Sequence, residues 1–181
     1  MSSIDQATSL HYDLAALRNT VPKELKISMM EHLKIDEHTF TSAFDEFLKY
    51  VVIALNAPHL AAAGTPYRFI PVVKLIDEIW HFYLLQTEEY AKLCDIISPG
   101  NFLHHRTFLY DKHVSDVIRT ELLHQEDLDF LVNYRLRFGY FTAQSIGFWR
   151  VPLCLQAELE WNIDKVNQFI DEACSLAVIM N

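Results

Sequence analysis

A carboxylate and an imidazole lie one helical turn apart in the string Asp77-Glu78-Ile79-Trp80-His81. Residues i and i+4 share one face of a helix, so the two groups can bind one metal ion, or the carboxylate can orient the imidazole. Two adjacent histidines, His104 and His105, follow the string Ser98-Pro99-Gly100-Asn101, which is typical of a helix end. Adjacent side chains of an extended chain point apart, so we expect only one of these two histidines to face the same site.

Two or three imidazoles with a carboxylate form a ligand set that suits Zn²⁺ or another first-row transition metal such as iron. The pattern therefore predicts a metal-binding or polar site formed by Asp77, His81, His104 and His105. If the protein is an enzyme, water or oxygen activated by the metal is the expected reagent. Two alternatives stay open. One is an ordinary solvated helix face, and the other is a non-catalytic interaction or adaptor module whose Asp/His cluster only ties the loop at His104 to the helix.

A second pattern, Glu-x-x-His, occurs twice, as Glu78-Ile79-Trp80-His81 and Glu121-Leu122-Leu123-His124. Two such motifs and a glutamate from each of two other helices build the di-iron site of ferritin-like bundles. The outer glutamates here would be Glu46 and either Glu158 or Glu160, towards the two ends of the chain. The order is unusual, because no separate helix with a glutamate lies between the motifs. A non-haem di-iron oxidase-like protein is therefore a minor alternative.

These residues depend on one long helix, which the periodicity predicts from residue 72 to about residue 97. At about 100° per residue, six apolar or aromatic side chains share a broad inward face. They are Ile76, Ile79, Trp80, Tyr83, Tyr90 and Cys94. Cys94 lies about 140° around such a helix from His81, so the two cannot bind one ion, and we interpret Cys94 as a small buried hydrophobe. Trp80 is expected to anchor its turn in the core and hold His81 at the edge of the buried face.

The segment at residues 75–94, followed by Phe102-Leu103-His104-His105, resembles the core signature of the glycine-rich-domain-containing-protein-like family. The shared positions, with Pro71 upstream, are Asp77, Trp80, His81, Leu85, Thr87, Tyr90, Cys94, His104 and His105. The glycine-rich tail of the plant members is absent, since the whole chain has four glycines. The resemblance implies a compact helical protein with a site at these residues, and it implies little about the chemistry.

Helical periodicity also extends over most of the remaining chain, which contains only four glycines and six prolines. Further helices are predicted over residues 5–18, 22–33, 41–55, 115–124, 127–138 and 153–178. The aromatic residues 140–149 and the apolar residues 176–180 either pack inside or form an exposed patch for a homo-oligomer. No linker interrupts the pattern, so we predict a single all-α domain of about six to eight helices over residues 1–181.

Composition narrows the class of partner. The net charge of −9 disfavours binding to nucleic acid, because an acidic surface repels phosphates. The apolar region at residues 50–64 is interrupted and falls short of the ~20 residues of a membrane span. No signal peptide is visible at the N-terminus, and three scattered cysteines fit reduced thiols. We therefore expect a cytoplasmic protein with a small-molecule or protein partner.

Overall fold

The chain forms an array of α-helices in a computed structural model, which describes residues 12–56, 72–104 and 125–179. These ranges contain eight α-helices, a 3-10 turn at Ile146–Phe148 and no β-strand. The helices are α1 (Leu14–Asn19), α2 (Lys23–Leu33), α3 (Glu37–Asn56), α4 (Lys74–Leu84), α5 (Thr87–Ile97), α6 (Gln125–Phe138), α7 (Arg150–Leu159) and α8 (Ile163–Ile179). The predicted all-α fold is confirmed.

Helix α3 lies at the centre of the core and packs against α1, α4, α5 and α6. Its apolar residues recur at three- and four-residue spacing, and Phe44, Phe47 and Val51 on this stripe are fully buried. Tyr83 of α4 lies against both phenylalanines, with ring centroids 6.1 Å from each. One face of α4 is therefore fixed in the core, and the residues on its other face lie at the surface.

The single helix predicted over residues 72–97 is wrong, because the structure has two helices, α4 and α5, with a bend at residues 85–86. The periodicity conceals the bend, since Tyr83 and Tyr90 are both buried, as they would be in a continuous helix. The available signal was the pair of glutamates in the first turn of α5, where negative charge complements the helix dipole. The expected inward face is nevertheless confirmed, because all six of its residues are buried.

The closing helix predicted over residues 153–178 is also two helices, α7 and α8. Helix α7 ends at Leu159, and the capping residue Glu160 has a φ of 55°, in the left-handed region. Asn162 then caps α8, because its side chain accepts a hydrogen bond of 2.9 Å from the backbone N–H of Lys165. An apolar stripe continues through both helices, so hydrophobic spacing alone does not reveal this turn.

The aromatic side chains of residues 140–149 (the aromatic segment) pack mostly inside. Phe141 and Trp149 are buried, whereas Tyr140 is 51% exposed. Tyr134 of α6 stacks on Phe141 with ring centroids 4.1 Å apart. Three of the segment's four aromatic side chains, Phe141, Phe148 and Trp149, therefore lie in or against the core, in line with the first of the two interpretations offered by the sequence.

The helix predicted at residues 115–124 and the beginning of that at residues 5–18 lie outside the described residues, as do the side chains of residues 176–180. Helices α2 and α6 follow their predicted bounds closely, and α3 starts at Glu37, earlier than predicted. Within the described part of the chain, no helix has the length and apolar character needed to cross a membrane.

Candidate functional site

Asp77 and His81 form a pair on helix α4, as their spacing predicts. The Nδ1 atom of His81 lies 2.8 Å from the backbone oxygen of Asp77 and 3.4 Å from its carboxylate Oδ2. Because a carbonyl oxygen only accepts hydrogen bonds, Nδ1 carries the hydrogen, and the lone pair of the neutral ring is on Nε2. The backbone oxygen and the Oδ2 of Asp77 thus both lie near Nδ1 of the ring. This arrangement favours Asp77 as the group that orients the imidazole.

Trp80 lies on the buried side of α4 and His81 at its exposed edge, as expected. Trp80 is 4% exposed, and its ring meets that of Tyr50 edge to face at a centroid distance of 5.0 Å. The side chain of His81 is 46% exposed and that of Asp77 is 25% exposed. The tryptophan therefore anchors this turn of the helix, and the histidine lies at the edge of the core.

A buried chain of hydrogen bonds joins α4 to the segment that carries His104. The indole Nε1 of Trp80 donates to the hydroxyl of Tyr90 at 2.9 Å, and this hydroxyl donates to the backbone oxygen of Leu103 at 2.9 Å. In an unbroken helix, residues ten apart are separated by about 15 Å along the axis. The bend between α4 and α5 is thus what allows Trp80 and Tyr90 to meet.

Cys94 belongs to the same cluster. It is buried beside the Tyr90 hydroxyl and the backbone of Leu103. Burial raises the pKa of its thiol, and hydrogen bonds from Leu103 and Tyr90 only partly oppose that shift. The thiol therefore stays protonated, which supports the interpretation of Cys94 as a core residue and not as a metal ligand.

His104 lies at the surface beyond this cluster. Its ring centroid is 4.8 Å from that of Phe102, and Phe102 meets Tyr90 edge to face at 5.2 Å. His105 lies outside the described residues. Among the residues that are described, no three histidine, cysteine, aspartate or glutamate side chains are grouped closely enough to hold a metal ion.

Within the described part of the chain, the residues of the di-iron alternative do not form a metal-binding group. Glu78 forms an exposed ion pair of 3.2 Å with Lys74 on α4. Glu158 and Glu160 are exposed at the end of α7. The second motif, at residues 121–124, lies outside the described residues.

Glu46 has a different role, which its sequence context did not reveal. It is 4% exposed, and its Oε1 lies 2.6 Å from the Nζ of Lys49. Its Oε2 accepts hydrogen bonds from the Trp149 indole at 2.8 Å and the Tyr134 hydroxyl at 3.2 Å. Burial alone would lower the pKa of Lys49, but the Glu46 carboxylate and the Tyr134 hydroxyl raise it overall. The apolar spacing around residue 46 marks a core position, and only the partners show why a carboxylate occupies it.

A surface cleft of about 470 Å³ lies elsewhere, between the aromatic segment and α8. Asp171 on its wall accepts hydrogen bonds from the Nε of Arg135 at 2.8 Å and the hydroxyl of Tyr140 at 2.9 Å. Asn167 bonds both the N–H and the carbonyl of Phe141. These polar groups hold α6, α8 and the aromatic segment together, and none of the predicted site residues lines the cleft.

Comparisons with other proteins add no assignment: no family model matches the chain, and no match is found among curated proteins or among solved structures.

Proposed function

We propose that helix α4 and the segment after α5 form a binding site for a divalent transition metal, with zinc or iron as the expected ion. The observation that carries this proposal is the orientation of His81, whose Nδ1 is held by Asp77. Metal-binding histidines typically donate their second ring N–H to a carboxylate or a backbone carbonyl in this way. Nε2 of His81 is then the ligand atom.

His104 is the second ligand in this proposal. Trp80 precedes His81 and Leu103 precedes His104, and the two preceding residues are linked through the single hydroxyl of Tyr90. The segment that carries His104 is therefore tied by hydrogen bonds to the helix that carries His81. A tetrahedral site needs four ligands, so water and His105 are candidates for the remaining positions.

The donor set determines the class of ion. Imidazole nitrogen suits zinc, copper, nickel and iron, whereas magnesium and calcium prefer oxygen ligands. The buried, protonated thiol of Cys94 leaves nitrogen as the characteristic donor. If the protein is catalytic, the metal supplies a Lewis acid or an activated water, and the half-exposed His81 is reachable from solvent. The resemblance to the glycine-rich-domain-containing-protein-like family adds support, because Asp77, His81 and His104 are among its shared positions.

Metal analysis of the full chain, purified without an affinity tag, tests the proposal. We expect stoichiometric zinc or iron in the wild type and its loss in His81→Ala and in the double variant His104→Ala/His105→Ala. His38→Ala removes an exposed histidine on α3 and is the matched control, for which metal content should be unchanged. Wild-type protein that neither retains metal nor binds added zinc would refute the proposal.

One observation favours a second function, that of a non-catalytic interaction module. Trp80, Tyr90 and Cys94 carry much of the resemblance, and all three act as buried scaffold residues. A signature made largely of such residues also suits a domain whose task is to present a surface. In that case the protein is metal-free, and His81→Ala leaves binding of its partner undiminished.

A further inference from the structure

We infer that the hydroxyl of Tyr90 is the positioning group of this site: it fixes the His104 segment against helix α4 and so sets the affinity for metal. The inference rests on the proposed function, because it assigns a role in that same site to a residue that cannot touch the ion. Tyr90 is fully buried, whereas His81 and His104 are exposed.

The direction of the hydrogen bonds shows why the hydroxyl matters. An indole N–H can only donate, so Trp80 must donate to the oxygen of Tyr90. The one hydrogen of the hydroxyl points to the carbonyl of Leu103 at 2.9 Å, and the Cys94 sulfur is a second neighbour of the hydroxyl. Burial raises the pKa of Tyr90, so the hydroxyl keeps this hydrogen over the whole physiological range.

The segment that Tyr90 holds has no regular secondary structure of its own. Residues 101–104 follow the turn after α5 without regular secondary structure, so no helical hydrogen bonds fix Leu103. Its side chain is buried in the core, and the polar contacts of its backbone are the Tyr90 bond to its carbonyl and the interaction with the Cys94 sulfur. His104 is the next residue, and a displacement of Leu103 moves it directly.

Tyr90→Phe removes the hydroxyl and keeps the ring, so it isolates this effect. Tyr83→Phe is the matched control: Tyr83 is buried in the same core, but its hydroxyl faces the backbone oxygen of Glu89 within α5, at 3.4 Å. Two quantities are measured for the full chain: amide hydrogen exchange of residues 101–104 without metal, and the affinity for added zinc by competition with a chelating dye.

We expect Tyr90→Phe to accelerate exchange at residues 101–104 and to weaken zinc binding by up to roughly 10-fold, the lower end of the effect of removing a group that hydrogen-bonds a metal ligand directly, because Tyr90 acts through the residue before His104. Tyr83→Phe should leave both quantities close to their wild-type values, because the ring of Tyr83 still packs against Tyr90 and its lost hydroxyl faces α5 and not residues 101–104. Unchanged exchange in Tyr90→Phe, or equal effects of the two variants, would overturn the inference. A wild type that binds no zinc refutes the proposed function instead, and the exchange data still show whether Tyr90 holds the segment.

Discussion

Removing the carboxylate of Glu46 is expected to destabilise the domain more than most single substitutions. Glu46→Ala leaves the Lys49 ammonium, the Tyr134 hydroxyl and the Trp149 indole without their common acceptor. The Lys49 side chain is only 15% exposed, so water replaces little of the lost interaction. Removing one partner of a buried ion pair lowers the free energy of unfolding by about 3–5 kcal/mol.

For a domain of this size, 1 kcal/mol shifts the melting temperature by roughly 2–4 °C, so Glu46→Ala should lower it by roughly 6–20 °C. Thermal melts followed by far-ultraviolet circular dichroism measure this shift. Glu158→Ala is the matched control, because Glu158 is exposed on α7, and surface substitutions cost under about 0.5 kcal/mol. Equal melting temperatures for the two variants would refute the assignment of Glu46 as a buried acceptor that joins α3, α6 and Trp149.

Two further predictions concern stability. Trp80→Ala should lower the free energy of unfolding by roughly 3–5 kcal/mol, because Trp80 is a buried aromatic residue. His81→Ala should lower it by under about 0.5 kcal/mol, because His81 is half-exposed. The reverse order in urea unfolding would show that His81 is a core residue. Burial raises the pKa of Asp45 despite the Arg18 guanidinium 3.3 Å away, so the folded state binds the Asp45 proton more tightly than the unfolded state. Stability from this group is present below its ordinary pKa of 3.8 and is lost as pH rises through the raised pKa of the folded state. Asp45→Asn should therefore gain stability relative to wild type as pH rises above about 4, and a difference that does not change with pH would contradict the assignment.

The sequence was sufficient to predict the fold class and the two faces of α4, and the reason is physical. Apolar spacing reports which side of a helix is buried, and it placed Trp80 inside and His81 at the edge. The same spacing does not reveal a bend when the helices on both sides of it pack against the core. For this reason it predicts neither the break at residues 85–86 nor the turn at Glu160. Capping residues and first-turn charges carry the information about these two breaks.

The polar contacts were harder to predict than the fold. A pair such as Asp77 and His81 is local, so helical geometry alone brings it together. The partners of Glu46 and the bond from Tyr90 to Leu103 depend on how distant or separately oriented segments pack. No short-range pattern encodes such packing, so a buried carboxylate and a buried hydroxyl bridge become visible only in three dimensions.

The central claim is that His81 binds a metal through Nε2 while Nδ1 stays with Asp77. Nitrogen-15 NMR of the histidine rings, recorded for the full chain before and after one equivalent of zinc, tests it most directly. We predict a shift of the His81 Nε2 signal to the range of metal-bound imidazole, with Nδ1 still protonated, and a matching change at His104 or His105. His81 signals that do not move, or coordination through Nδ1, would contradict this account.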